Sequence, residues 1–284
     1  MTESPTVALL GTGIMGAGMA RNIAKAGMPL RVWNRSSDKA KALADVAHVA
    51  DSVADAVDGA DIVLTMVYDA DSVIETMEQT RGHLGPDVVW LQQSTIGVDG
   101  SDRVIGLAKD LEVTLVDAPV LGTRKPAEDG ALVVLASGPE EARTTVTPVF
   151  DAVSSRAMWV GEAGAGTRLK LAANAFVGTL LEGIADSLAL TRDFGLDPAL
   201  FLEALSGGAM DAPYVQLKGK AMLSGQYEPA FTLAGALKDV DLILAAAEAA
   251  GTDLGPLPGV RAHFARAVDA GHGDLDMSAT YLEH

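Results

Sequence analysis

Short, largely apolar runs, at 6–10, 30–33, 62–67, 88–91, 114–116 and 132–136, recur along the first half of the chain. Between them lie helix-compatible stretches at 15–26, 38–44, 72–77 and 101–109. A strand that is apolar at every position, rather than at alternate ones, is covered on both faces. Strands that alternate with helices at this spacing form right-handed βαβ units around a mostly parallel sheet. The predicted class is therefore α/β, a doubly wound Rossmann-like domain. After Trp159 the strand signals cease. Gly161-Glu162-Ala163-Gly164-Ala165-Gly166 is a small-residue hinge, and residues 167–194 are helix-compatible without a proline or a glycine pair, up to Gly195 as a helix stop. At ~1.5 Å per residue such a helix runs on the order of 40 Å, long enough to join two domains. Shorter helices beyond Pro198 are broken at Gly207-Gly208, Pro213, Gly225, Pro229 and Gly255-Pro256. The expected organisation is a sheet domain at 1–162 and an all-α domain at 163–284. Ala172, Ala173, Ala175, Gly178, Gly183 and Ala185 keep the long helix slim, which predicts close helix packing and a homo-oligomer, dimer or tetramer, built on the carboxyl half.

Composition removes other function classes. Lys and Arg number 21 against 38 Asp and Glu, a formal net charge of −17, which argues against nucleic acid and anionic membranes as partners. There is no cysteine, so disulfides, thiolate metal sites and a Cys nucleophile are excluded, and a reducing compartment such as the cytoplasm is expected. The histidines at 48, 83, 263, 272 and 284 show no metal-ligand spacing, so no metal is expected. No Gly-x-Ser-x-Gly elbow is present. The stretch Met1-Thr2-Glu3-Ser4-Pro5 lacks the marks of a targeting signal. The most apolar helix candidate, at 172–190, is interrupted by Asn174, Glu182 and Asp186, so no membrane span is expected. Leu282-Glu283-His284 reads as the start of a vector-encoded tail.

Gly11-Thr12-Gly13-Ile14-Met15-Gly16 follows the first strand and opens the first helix, the setting in which a G-x-G-x-x-G loop binds a dinucleotide. Gly11 makes the tight turn, Gly13 lets backbone approach a pyrophosphate, and Gly16 permits close helix–strand packing. Free amides and the positive helix end then hold phosphate without a lysine. The end of the second strand selects the cofactor. Trp33-Asn34-Arg35-Ser36-Ser37 contains no acid before Asp38. A carboxylate there bonds a ribose 2′-OH and repels a 2′-phosphate, whereas Arg35 with Asn34 and Ser36 suits the phosphate, so NADP (NADPH) is expected over NAD. The same turn also reads as a solvated cap of the next helix, supplied by Ser37. Val67 ends a strand where a doubly wound sheet places ligand-contacting loops.

Read together with four later segments, this loop resembles the β-hydroxyacid dehydrogenase family. The segments are the loop with its continuation Ala17-Gly18-Met19-Ala20-Arg21-Asn22, then Asp117-Ala118-Pro119-Val120-Leu121-Gly122-Thr123, Gly166-Thr167-Arg168-Leu169-Lys170-Leu171-Ala172-Ala173-Asn174, Leu237-Lys238-Asp239-Val240-Asp241-Leu242, and Gly273-Asp274-Leu275-Asp276-Met277-Ser278-Ala279. The stretch Arg124-Lys125-Pro126-Ala127-Glu128-Asp129-Gly130 leans toward glyoxylate/succinic semialdehyde reductases. The resemblance implies NADPH-dependent reduction of a small aldehyde or keto acid, or the reverse oxidation of a 3-hydroxyacid. It implies Lys170 as general acid/base and Asn174, one turn on, as its orienting partner. It further implies cofactor contacts from Thr95 and Lys238 and substrate contacts from Leu121, Gly122, Thr123, Phe231 and Asp239. Taken alone, Lys170 reads as a snorkelling lysine, Thr95 as a helix cap and Lys238-Asp239 as a solvated pair. Where the family carries Ser-Gly-Gly after Ala-Pro-Val, this chain has Leu121-Gly122-Thr123, which points to a bulkier or more apolar carbonyl. Leu121 also keeps open an imine reductase or reductive aminase, which usually lacks the lysine. A non-catalytic NADP-binding scaffold is the third alternative.

Overall fold

The apolar runs of the first half form one parallel sheet. Its elements in chain order are β1 (Val7–Leu10), α1 (Ile14–Lys25), β2 (Leu30–Trp33), α2 (Ser37–Lys41), β3 (His48–Val49), α3 (Val53–Val57), β4 (Ile62–Thr65), α4 (Ala70–Glu78), β5 (Val89–Gln92), α5 (Gly97–Asp110) and β6 (Thr114–Asp117). The order is β3-β2-β1-β4-β5-β6 with every pairing parallel. The direction of winding reverses between β1 and β4, and such a sheet binds its ligand outside the carboxyl ends of the strands at that switch. The computed structural model describes residues 4–284 and divides into two units, one ending at Lys170 and one from Leu171 to His284. Residues 1–3, part of the amino-terminal stretch read as carrying no targeting signal, lie outside the described residues.

The unbroken apolar runs have a physical cause in this sheet. Val7, Leu9, Ile62, Leu64, Val89 and Leu91 pack into one core, while their neighbours Ala8, Leu10, Val63 and Trp90 pack into a second. The strands β1, β4 and β5 alternate between two buried faces, and each fully buried Val or Leu contributes ~1.5–3 kcal/mol. The run at 62–67 stops pairing at Thr65, because the Val67 N–H turns away to Ser94 Oγ (2.9 Å).

A second sheet of order β7-β8-β9 follows, from β7 (Val120–Leu121), β8 (Leu132–Ala136) and β9 (Ser154–Trp159), with α6 (Arg124–Glu128) and α7 (Arg143–Val153) between them. Two of these strands, and α7 with its internal Pro148, carry no clear sequence signal: β7 is two residues long, and β9 is exposed through its middle.

The long helix expected at 167–194 is α8 (Ala165–Asp193), with Gly195 beyond its end in a left-handed conformation at φ 76°. The second unit continues with α9 (Ala199–Leu205), α10 (Pro213–Ser224), α11 (Leu233–Ala250), α12 (Leu257–Ala267) and a closing 3-10 turn at Met277–Glu283. Apart from one isolated bridge, Thr232 to Asp276, no strand pairing occurs there among the described residues. Asp276 is the polar anchor of this unit. Its carboxylate accepts from Lys218 Nζ (2.6 Å), Ser278 Oγ (2.7 Å) and the amides of Ser278 (3.0 Å) and Ala230 (3.1 Å). Burial alone would raise this carboxyl, but the Lys218 charge and these hydrogen bonds outweigh it and hold the group below its ordinary value. Leu282-Glu283-His284, read as the start of a vector-encoded tail, is packed onto this unit. Leu282 and Glu283 continue the closing turn, and the His284 side chain is buried against Glu182. Among the described residues no helix is long and apolar enough to cross a membrane.

Candidate active site

The glycine loop lies where β1 ends and α1 begins, beside the switch in strand order. Gly11 has φ +110°, and a Cβ on it would stand 2.2 Å from the Met66 carbonyl oxygen. A Cβ on Gly16 would stand 1.9 Å from the Gly11 oxygen. Both positions therefore accept only glycine. Gly13 differs, since a Cβ there meets nothing within 4 Å. The Thr12 amide donates to Asn34 Oδ1 (2.9 Å), which ties the loop to the turn after β2. Thr12 Oγ1 is buried without a hydrogen-bond partner. Gly13 occupies the cap position of α1, and no side chain caps it. By contrast α3, α4 and α11 are capped by Ser52, Asp69 and Thr232. An open space over an uncapped helix end, with an orphaned hydroxyl beside it, fits a pyrophosphate. Ile14 and Met15 form the first turn of α1. The rest of the signature is structural. Gly18 lets α1 meet α6, where a Cβ would lie 2.8 Å from the Ala127 carbonyl carbon, and Asn22 Nδ2 donates to the Ala127 oxygen (2.8 Å).

Arg35 and Ser36 are exposed after β2. The cap of α2 falls on Ser36 rather than on Ser37, and its hydroxyl makes no capping bond. At the end of β5, Ser94 exchanges hydrogen bonds with the Gln92 side chain (2.6 and 2.9 Å) and receives the Val67 amide. Thr95 is half-buried just before the following helix, whose cap position falls on Ile96. Sequence reasoning passed over Gln93, whose buried amide group has neither atom hydrogen-bonded.

Lys170 is buried on α8, and its Nζ donates to the Val120 carbonyl (2.7 Å). The solvent-directed reading of this lysine is thus corrected. Val120 leads directly into Leu121, Gly122 and Thr123. Leu121 pairs with Val133, Gly122 turns at φ +123°, and Thr123 takes the cap position of α6. The start of α8 is held by a group that the sequence did not single out for a role, Asp117 at the end of β6. Its carboxylate accepts from the Thr167 amide and hydroxyl (both 2.8 Å), and Ser137 Oγ accepts from the Gly166 amide (2.9 Å). Burial pushes the Asp117 carboxyl above its ordinary range, against these hydrogen bonds.

In the second unit Asn174, one helical turn beyond Lys170, donates through Nδ2 to Asp239 Oδ2 (2.8 Å). Asp239 Oδ1 is 2.8 Å from Lys238 Nζ, and the two side chains are 6% and 19% exposed, so this pair is not a solvated one. Phe231 is half-buried just before α11.

Residues 6–161 match the model of the NAD-binding domain of 6-phosphogluconate dehydrogenase, and residues 164–282 match that of the NAD-binding domain of NADP-dependent 3-hydroxyisobutyrate dehydrogenase. Glyoxylate/succinic semialdehyde reductase 1 of Arabidopsis thaliana is 31% identical over 284 residues, covering 96% of each chain. The chloroplastic reductase 2 of that plant is 33% identical over 247 residues, 86% of this chain and 69% of that one. A crystal structure of 3-hydroxyisobutyrate dehydrogenase from Salmonella typhimurium matches with a TM-score of 0.91 at 25% identity, covering 99% of this chain and 100% of the other. Both halves and a relative of the same length thus point one way: the chain belongs to the β-hydroxyacid dehydrogenase family, oxidoreductases acting on CH–OH groups with a nicotinamide dinucleotide.

Proposed function

We propose that the chain is an NADPH-dependent reductase of a small aldehyde or keto acid, able to run in reverse on a 3-hydroxyacid, with Lys170 as its general acid/base. The observation that carries this reading is the buried Lys170 ammonium hydrogen-bonded to Val120, next to the Leu121-Gly122-Thr123 loop. When bound, a reduced nicotinamide supplies the hydride to the carbonyl carbon. Lys170 gives its proton to the carbonyl oxygen, which becomes the hydroxyl. In the reverse direction the neutral amine takes that proton back. Asn174, fixed by Asp239, bonds a substrate oxygen on the same helix face. Residues 11–16 hold the pyrophosphate, and Asn34, Arg35 and Ser36 take the 2′-phosphate. In the first unit Val67 and Thr95 are assigned further cofactor contacts and Leu121, Gly122 and Thr123 substrate contacts; in the second, Lys238 is assigned to the cofactor and Phe231 and Asp239 to the substrate. In this reading residues 1–162 bind cofactor and residues 163–284 supply substrate contacts and the oligomer interface, in a cytoplasmic enzyme. Leu121 stands where a hydroxyl would meet a carboxylate, so the preferred carbonyl is bulkier or less polar than glyoxylate.

The test is NADPH oxidation against a panel of semialdehydes, keto acids and cyclic imines. Lys170→Ala should bind NADPH nearly as wild type while turnover falls by ~10²–10⁴, and Lys170→Arg should not rescue it, because guanidinium stays protonated. Near wild-type carbonyl reduction by Lys170→Ala would refute the mechanism. Activity confined to imines would point to reductive amination instead.

A further inference from the structure

In the second unit, side chains from three separate segments converge. Glu182 and Asp186 come from one turn of α8, His263 from α12 and His284 from the end of the chain, and one ligand atom of each lies within 4.8 Å of all the others. We propose that they form a binding site for a divalent transition-metal cation of the zinc class, held by His263 Nδ1, His284 Nε2 and Glu182 Oε1, with Asp186 completing the set.

The Glu182 side chain is 7% exposed, and its Oε1 is buried without a hydrogen bond of acceptable geometry. Two ring nitrogens press on that oxygen: His263 Nδ1 in direct contact, and His284 Nε2 at 2.8 Å. The two nitrogens are themselves 2.9 Å apart. The other nitrogen of His284, Nδ1, lies 3.1 Å from the Thr280 carbonyl oxygen. A carbonyl only accepts, so Nδ1 carries a proton there, and Nε2 is the His284 nitrogen that faces the Glu182 carboxylate. A proton on either facing nitrogen bridges these atoms in pairs, whereas a metal ion would bind the carboxylate oxygen and both ring nitrogens at once.

The surroundings match what metal ligands carry. His284 is oriented by the Thr280 carbonyl, and Glu182 Oε2 accepts from Thr280 Oγ1 (3.2 Å), so one residue braces both ligands from outside. Two imidazoles with one or two carboxylates suit Zn²⁺, Ni²⁺ or Cu²⁺ and disfavour Mg²⁺ and Ca²⁺, which take oxygen donors. Asp186 is 63% exposed and its Oδ1 lies 3.3 Å from His284 Nε2, leaving a side through which an ion and its water reach the buried atoms. Such an ion would staple the middle of α8, α12 and the chain end. The sequence concealed this because 81 residues separate Glu182 from His263 (263 − 182), far from any motif spacing.

The experiment uses the full chain without a polyhistidine tag, stripped with EDTA and titrated with ZnCl₂ by calorimetry, with Co²⁺ absorption as a second readout. The expected result is one ion per chain, a rise in melting temperature with Zn²⁺, and a visible Co²⁺ spectrum typical of mixed nitrogen–oxygen ligation. His263→Ala should abolish all three while NADPH binding stays as in wild type. Thr280→Val should weaken Zn²⁺ by about tenfold, the usual effect of removing an outer partner. Absence of saturable Zn²⁺ binding by the wild type would overturn the proposal and leave a protonated His284 on Glu182. Undiminished binding by a folded His263→Ala would also overturn it. Should His263→Ala not fold, the wild-type Co²⁺ spectrum decides, and the absence of nitrogen ligation in it counts against the site.

Discussion

Gly13→Ala separates cofactor binding from folding more cleanly than any other change in the glycine loop. Gly13 has φ −71°, an angle open to every residue, and a Cβ there touches nothing within 4 Å. The apoprotein should therefore lose at most about 1 kcal/mol, the penalty of alanine at a helix cap. The new methyl group stands in the open space over the uncapped start of α1, where a pyrophosphate would meet the amides. Losing one hydrogen bond to a charged group removes about 1.5–3 kcal/mol, which is roughly 10- to 150-fold in Kd. Gly16→Ala is the contrast, because its Cβ would lie 1.9 Å from the Gly11 oxygen and the loop itself must move. The assay pairs NADPH titration by fluorescence with thermal melts in the absence of cofactor. If Gly13→Ala keeps its fold and binds NADPH within about twofold of wild type, the phosphate does not sit over this helix end and the reasoning fails.

Arg35→Ala should weaken NADPH by roughly 10- to 150-fold and leave NADH nearly untouched; equal affinities of the wild type for both cofactors would contradict the 2′-phosphate reading. Lys218→Met leaves Asp276 buried without its cation and should destabilise the protein by about 3–5 kcal/mol in urea at neutral pH. Because Asp276 is held below its ordinary pKa, its stabilising contribution is complete above the pKa of an unfolded aspartate, about 3.9, and is lost as pH falls through the lower folded value. The gap between wild type and Lys218→Met should accordingly shrink in acid, and a gap independent of pH would exclude the ion pair as its cause. Phe176, Phe194, Leu196 and Leu217 are all more than half exposed on the second unit, so light scattering should report an oligomer; a stable monomer at working concentration would refute this.

The parts of this protein that were legible in the sequence are those set by local pattern. The runs at 30–33 and 132–136 coincide with β2 and β8, and the glycine loop falls between β1 and α1, because strand burial and tight turns each leave a mark within a few residues. The motif segments also pointed to Lys170 and Asn174. What those residues touch could not be read, since each partner lies far along the chain. Lys170 meets Val120 across 50 positions, Asn174 meets Asp239 across 65, and Thr12 meets Asn34 across 22. The same holds for β3 and β7, two residues each, whose existence depends on a neighbouring strand rather than on their own composition. The convergence of Glu182, Asp186, His263 and His284 is the extreme case, assembled by the packing of α8, α12 and the end of the chain. Periodicity is a local property, whereas a site is made by side chains that only the path of the backbone brings within hydrogen-bonding distance.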